Sequence, residues 1–313
     1  MLFSILIANY NNSRFLEKAL NSVLAQSYAA WEVILVDDAS TDGFRELIQP
    51  FEGDPRIRVF HNDRNYGCGY TKRKCAAMAR GSILAFLDPD DALAPDALEI
   101  MVGEHRLHPE CSLIHSTHYI CDARLNIQRI AGYPRPLPAG TPYLMVSDGS
   151  VHSFATFKKA CYDRTEGISA LNKVAVDQDL YYKLEETGQV LFIDKPLYYY
   201  RIHEGSISNA GKERAAALRH YAIIREACQR RRRQLDPADP ATRAWRRAYR
   251  TRYYKILIFQ SFREKRWLQF FCGLSIFPFV GGGANLIAYL RKLPKEGMHL
   301  LRRSFVEDYK IGV

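Results

Sequence analysis

The chain has 313 residues, 47% hydrophobic and 25% charged, enough for one large catalytic domain with an appendage or for two modest domains. That composition excludes disorder, a collagen and a disulfide scaffold. The formal charge of +10 raises nucleic acid or an anionic membrane as a partner, but it is unevenly placed. Residues 1–211 hold 21 basic and 26 acidic side chains, residues 212–266 hold 17 and 5, and residues 267–313 hold 6 and 3, so the basicity belongs to the C-terminal third.

Met1 to Ala8 is apolar, lacks a basic leader and is shorter than a signal h-region, so the sequence predicts a first strand over Phe3 to Ala8. Ser13 is a candidate N-cap for a helix carrying Phe15, Leu16, Ala19, Leu20, Val23 and Leu24 at helical spacing. A second strand, Glu32 to Val36, stops at Asp37-Asp38; a short helix follows over Phe44 to Phe51 and a third strand over Ile57 to Phe60. The polar, glycine-containing loop from His61 to Tyr70 leads into a helix over Thr71 to Arg80, then a strand over Ser82 to Leu87 broken by Asp88-Pro89-Asp90-Asp91. Pro95 opens the next helix, where its missing N–H costs nothing. This alternation is the mark of βαβ units and a mainly parallel sheet.

From Cys111 to Arg201 the pattern is mixed, with strands over Ser112 to Ser116 and Leu191 to Ile193, and a helix from Asp179 to Glu186 that stops at Gly188. The run Tyr198-Tyr199-Tyr200 is read as packing at the sheet edge, and Trp31 as core. Beyond Ser208 come long, basic, helix-compatible stretches broken at Asp236-Pro237 and Asp239-Pro240. The sequence thus predicts a domain over 1–211, with halves 1–110 and 111–211, and a helical basic region over 212–313. The seven cysteines, Cys68, Cys75, Cys111, Cys121, Cys161, Cys228 and Cys272, form no C-x-x-C pair and read as reduced, mostly buried thiols of a cytoplasmic protein.

In open α/β sheets ligands sit beyond the carboxyl ends of the strands, and here two such ends carry carboxylates: Asp37 and Asp38, then Asp88, Asp90 and Asp91. One Asp alone is a common turn former or cap. Three carboxylates within four residues repel one another unless a positive group offsets them, and a hard divalent cation is the usual solution. Neither a P-loop nor a dinucleotide fingerprint is present, so a diphosphate would be held by a metal with Lys72, Arg73 and Arg201.

These residues fall into a known pattern. Ala8-Asn9-Tyr10-Asn11, Val36-Asp37-Asp38-Ala39-Ser40-Thr41-Asp42, Leu87-Asp88-Pro89-Asp90-Asp91, Val176-Asp177-Gln178-Asp179-Leu180 and Tyr200-Arg201-Ile202-His203-Glu204-Gly205-Ser206-Ile207-Ser208 occur in order over residues 3 to 208. The sequence resembles the family 2 glycosyltransferases of the GT-A fold, inverting enzymes that use nucleotide sugars. The resemblance implies a Rossmann-like, mainly parallel sheet sandwiched by helices, here followed by a mostly helical basic extension. It also implies that Asp38 accepts the imide N–H of uracil, with Ala8 and Tyr10 lining the base and ribose site. Asp88 would hold the ribose or sugar, Asp90 and His203 would bind Mn²⁺ or Mg²⁺, and Arg201, Ser206 and Ser208 would contact the leaving diphosphate. Asp177 would be the general base toward the acceptor hydroxyl. Ala8 replaces the family's proline, Val176 its usual Glu, and Lys72-Arg73 its Arg-Asn, which leaves the phosphate contact to either Lys72 or Arg73.

His115, His118 and His152 lie near predicted strands and read as satisfied core or rim groups, with His152 the best placed for an acceptor contact. Asp179 reads equally as a second active-site carboxylate or a first-turn acid. Arg230 to Arg233 with Arg243, Arg246, Arg247, Arg250, Arg252 and Lys255, interleaved with Trp245, Tyr249, Tyr253 and Tyr254, form a cationic helical region without a nucleic-acid module. Trp267 to Leu290 holds no charge over 24 residues and is broken by Pro278 and Gly281-Gly282-Gly283. It reads as an interfacial or re-entrant pair, its flanking cations (Arg263, Lys265, Arg266, Arg291, Lys292) facing anionic headgroups, or else as a homodimer interface.

The expectation is a metal-dependent inverting transferase using a UDP-sugar and a glycan or lipid-linked acceptor in cell-surface polysaccharide synthesis. It would be cytoplasmic, associated peripherally or monotopically with the inner face of the cell membrane, with no nucleic-acid partner. A sugar-phosphate nucleotidyltransferase would want a glycine-rich, basic N-terminal loop, which is missing; a catalytically degenerate membrane adaptor would be expected to lose Asp90, Asp177 or His203, and all three are present.

Overall fold

The computed structural model describes residues 1–203 and 213–281. The chain divides into two compact units, one of Met1–Ala139 with Gly149–Ser206, the other of Gly140–Asp148 with the chain from Ile207 onward.

The first unit is built on a nine-stranded sheet. Its parallel part has strands β1 (Phe3–Asn9), β2 (Trp31–Asp37), β3 (Ile57–His61) and β4 (Ile83–Phe86) in the order β3-β2-β1-β4. All of β2 and six of the seven residues of β1 are buried, which is why both read as near-continuous apolar runs. The helices α1 (Ser13–Leu24), α2 (Phe44–Ile48) and α3 (Cys68–Met78) return the chain between them. Leu16, Ala19, Leu20 and Val23 of α1 face the core at the spacing the sequence shows, although the N-cap is Asn12 rather than Ser13. Gly81 has no room for a Cβ, which would meet Ser4 Oγ at 2.5 Å as the chain enters β4.

The second half of the sheet is mixed. After β5 (Ala92–Leu93) and α4 (Ala97–Leu107), β6 (Cys111–Cys121) pairs antiparallel with β7 (Ile127–Ile130) and parallel with β9 (Gln189–Arg201). Beyond α5 (Tyr143–Val146), which belongs to the second unit, β8 (Ala155–Lys158) inserts between β4 and β6, antiparallel to both. Helices α6 (Lys159–Tyr162) and α7 (Val176–Glu185) precede β9. Two sequence expectations change. The N-cap of α4 is Asp96, so Pro95 stands one residue outside the helix. The tyrosines 198 to 200 are not at the edge, because β5 pairs with Tyr198 and Tyr199 on the outer side of β9.

The second unit is helical among its described residues: α8 (Glu213–Gln234), α9 (Pro240–Arg263) and α10 (Trp267–Gly281). The break between α8 and α9 falls at the two Asp-Pro pairs, and Pro240 opens α9 at its first position. Ile258 and Phe277 are buried between α9 and α10 with Tyr254, Phe270 and Leu274 around them, and Gly273 lets Ile258 approach. The cationic run is not wholly solvated: Arg231 is buried beside Tyr249, and Arg246 donates to the carbonyls of Arg232 and Leu235 at the end of α8. Residues 282–292 of the predicted apolar and basic segment lie outside the described residues.

Candidate active site

Two strand ends, the inward face of α3 and the start of α7 converge on one cluster of charge. Just past β4, Asp88 Oδ1 lies 3.3 Å from Lys72 Nζ, and the same ammonium is 2.8 Å from Oδ1 of Asp177 in the first turn of α7. Lys72 is itself buried, on the inward face of α3 with Gly69, Thr71, Cys75 and Ala76. A buried ammonium survives only when paired. Burial alone would depress it, yet Asp177 and Asp88 hold it well above its ordinary range. Asp88 is raised as well: loss of solvent lifts its carboxyl, Lys72 opposes that, and the nearby charges of Asp177 and Asp90 add to the rise.

Next to this pair, Asp90 Oδ2 is 3.0 Å from His203 Nε2, just after the end of β9. Arg201 locks this arrangement from the backbone side. Its amide donates to Asp91 Oδ1 at 2.8 Å, its Nε to the Asp90 carbonyl and its Nη1 to the Ala123 carbonyl at 2.8 Å. Its Nη2 is buried with no hydrogen-bond partner, an unsatisfied donor on a cation beside Asp90. Asp91 is turned into the core, where burial raises its carboxyl well above the usual range and the Arg201 amide and Tyr198 hydroxyl bind it. Of the three clustered aspartates, then, Asp88 and Asp90 face the site while Asp91 fixes the backbone.

The first two strand ends form a second polar group. Asp37 is taken up by Asn9, at 2.9 Å, and by the amide and hydroxyl of Ser40. Asp38, nearly fully buried, accepts from Asn62 Nδ2 at 2.7 Å and from the amides of Tyr66 and Gly67 at 3.0 and 2.8 Å. A carboxylate has about four acceptor positions, so one remains. Ala8 and the exposed ring of Tyr10 stand at the end of β1 next to it. The glycine loop joins this group to Asp177. Gly67, at φ +92°, starts α3, and Gly69 donates to the Asn172 carbonyl at 3.0 Å, where a Cβ would collide with the backbone ahead of α7.

The structure therefore brings together Lys72, Asp88, Asp90, Asp177, Arg201 and His203, with Asp38, Ala8 and Tyr10 at the neighbouring strand ends. Arg73 is not among them: it donates to the carbonyls of Glu166 and Ile168 at 3.4 and 2.9 Å, on the other side of α3, which corrects its reading as a phosphate contact. Asp179 is buried against Lys183 at 2.8 Å and Asn172 at 3.3 Å, and is a structural acid. Ser206 and Ser208 lie outside the described residues. Sequence reasoning missed Asn62, whose role depends on the loop path, and the link from Lys72 to Asp177; a lysine at an inward helical position was the available signal for the latter.

Asp90 and His203 supply an oxygen and an imidazole nitrogen 3.0 Å apart, a donor pair suited to Mn²⁺ or Mg²⁺. Among the described residues no three His, Cys, Asp or Glu side chains close on one point. A cation there would keep open positions for phosphate oxygens and water, which is how these ions bind substrate phosphates.

Known proteins resemble this chain in sequence and in fold. Residues 4–165 match the profile described as Glycosyl transferase family 2. Chondroitin synthase of Escherichia coli is 30% identical over 230 residues, which cover 73% of this chain and 33% of that protein. The chain thus spans about a third of that relative's length. Among solved structures, S. aureus TarS 1-349 in complex with UDP-GlcNAc superposes with TM-score 0.64 at 16% identity, covering 100% of this chain and 92% of that 1-349 chain. A mannosyltransferase from Pyrobaculum calidifontis in complex with GDP-Man and Mn²⁺ gives 0.55 at 14%, covering 99% and 86%. The sheet, the helical C-terminal region and the match over more than half of the chain agree: this protein has a GT-A Rossmann-like fold and belongs to glycosyl transferase family 2.

Proposed function

We propose that the chain is a metal-dependent, inverting glycosyltransferase that moves a sugar from a UDP-sugar to a glycan or lipid-linked acceptor in cell-surface polysaccharide synthesis. The observation that carries this reading is the convergence of Asp88, Asp90 and His203 with Asp177 around Lys72 at the strand ends. The relative named for chondroitin synthesis and the neighbour holding UDP-GlcNAc support the substrate class. The remaining acceptor position of Asp38 suits the imide N–H of uracil, with Ala8 and Tyr10 lining the base and ribose.

Asp88 holds the sugar or ribose hydroxyls, and Asp90 with His203 holds the cation. When bound, that cation supplies Lewis-acid stabilisation of the charge growing on the leaving diphosphate. Arg201, buried beside Asp90, would add its positive charge toward the same phosphates, and Ser206 and Ser208 would add hydroxyls. Asp177 receives the proton of the acceptor hydroxyl as its oxygen attacks the anomeric carbon, in one displacement that inverts the configuration. Lys72 keeps the Asp177 and Asp88 carboxylates apart in charge, and its place in donor binding is electrostatic rather than a freely mobile phosphate contact.

The helical unit is the proposed membrane side. Leu268, Phe271 and Phe279 of α10 are 81%, 60% and 88% exposed, following Arg263, Lys265 and Arg266. No helix among the described residues is long and apolar enough to cross a membrane, so the proposal is interfacial contact with an anionic leaflet on the cytoplasmic side. Sedimentation with anionic vesicles that salt alone does not reverse supports it; a fully soluble dimer opposes it.

The function is tested by nucleotide release from a panel of UDP-sugars, with and without Mn²⁺, against lipid-linked and free glycan acceptors. Acceptor-stimulated, metal-dependent release of UDP is the expected result. Release from no donor in the presence of metal and acceptor, or equal release with chelator, overturns the reading.

A further inference from the structure

The acceptor-side half of the sheet carries a group of rings that the steps above do not use. Register shifts between β6 and β9 at Ser116/Thr117 and Thr117/Tyr119 interrupt strict alternation on β6. His118 stacks on His152 with ring centres 5.1 Å apart, and Tyr133 stands edge-on to both at 5.3 and 5.1 Å. Tyr200 adjoins both imidazoles at 5.6 and 6.0 Å. His118 is fixed: Nδ1 lies 3.2 Å from the Ser153 carbonyl, which only accepts, so Nδ1 carries the proton and Nε2 accepts from the Tyr133 hydroxyl at 2.9 Å. His152 is different. It is half-buried, with Nδ1 enclosed and without a hydrogen-bond partner, so the rest of its ring edge is what a ligand can meet.

Burial holds these imidazoles neutral, with His118 pushed down to about 3 and His152 to about 4. The group is therefore an uncharged, mostly buried aromatic cluster with hydrogen-bonding edges. It also lies near the reacting groups. Tyr198, two residues before Tyr200 and on the same strand face, accepts the Asp88 amide N–H at 3.2 Å, and two strand residues span about 7 Å. The Asp177 carboxylate is close enough to act on the His152 imidazole.

We propose that the half-buried rings of His152, Tyr133 and Tyr200, backed by the enclosed His118, form a carbohydrate subsite for the acceptor, in which a pyranose ring packs on their accessible faces and the His152 imidazole hydrogen-bonds one of its hydroxyls. Neutral rings with polar edges match a sugar, which presents apolar C–H faces and hydroxyl rims, better than they match a phosphate or a carboxylate. Placing the acceptor here rests on the glycosyl-transfer reading; the binding of a sugar ring does not.

Saturation-transfer NMR on the full chain with methyl β-glycosides of glucose, galactose, N-acetylglucosamine and glucuronic acid, in parallel with UDP, separates the two. Wild type should contact at least one glycoside, and His152→Ala should weaken that binding about tenfold, the loss of one stacked, hydrogen-bonded contact. His152→Phe, which keeps the packing, should give an intermediate loss, and UDP contacts should persist in both variants and show that they are folded. Glycoside binding without UDP binding supports the subsite and removes the donor reading. UDP binding with no glycoside contact, or glycoside contact equal in wild type and both variants, overturns the subsite.

Discussion

Glu32 and Asp88 are carboxylates on the parallel strands of one sheet, Glu32 at the start of β2 and Asp88 just past β4, and they differ in how completely they are satisfied. Glu32 accepts from the Ser4 hydroxyl at 2.7 Å, the Arg80 amide at 2.6 Å and Arg58 Nη1 at 3.2 Å. Burial alone would raise its carboxyl, but these donors more than offset that and hold it below its usual range. Asp88 shares one ammonium with Asp177, and its carboxyl is raised. A saturated buried carboxylate stabilises the fold; an undersupplied one stores repulsion that a positively charged ligand relieves.

The largest expected effect tests the functional end. Asp177→Asn should lower single-turnover transfer by about 10²- to 10⁴-fold, the usual worth of a positioned base, while leaving UDP affinity and Tm near wild type. Transfer at the wild-type rate removes Asp177 from the chemistry.

Glu32→Gln probes the structural end. The amide group of Gln turns a donor toward Arg58, so thermal unfolding at pH 7 should show a loss of about 1–3 kcal/mol with transfer unchanged. The folded carboxyl titrates below its unfolded value of about 4.3, so the stability it contributes is present above that pH and lost as pH falls through the folded value. The Tm gap between wild type and variant should thus hold from pH 7 to 5 and close toward pH 3. A gap that widens with acid contradicts the assignment.

Asp88→Asn should produce the smallest change in stability and of opposite sign. With its folded carboxyl raised, ionising it costs more in the folded than in the unfolded chain, so the variant's Tm should equal or exceed wild type even as transfer falls. A Tm several degrees lower places Asp88 with Glu32 instead.

Much of this was legible in the residues. The buried parallel strands announce themselves as apolar runs, and their ends are marked by Asp37-Asp38 and Asp88 to Asp91. What local pattern cannot show is long-range pairing. The two-residue β5 hides that Tyr198 lies inside the sheet, and the antiparallel insertion of β8 depends on partners 40 or more residues away. Side-chain direction was equally hidden: Asp91 and Arg73 share motifs with Asp90 and Lys72 yet face the other way. One residue along a helix or past a strand end is enough to do that.

The most direct measurement is calorimetric titration of UDP with Mn²⁺ and with chelator, on wild type, Asp90→Asn and Glu32→Gln. The account predicts that Mn²⁺ tightens UDP binding about tenfold or more in wild type and Glu32→Gln, and that Asp90→Asn removes the difference. Equal UDP affinity with metal and chelator in wild type, or an undiminished metal effect in Asp90→Asn, would contradict it.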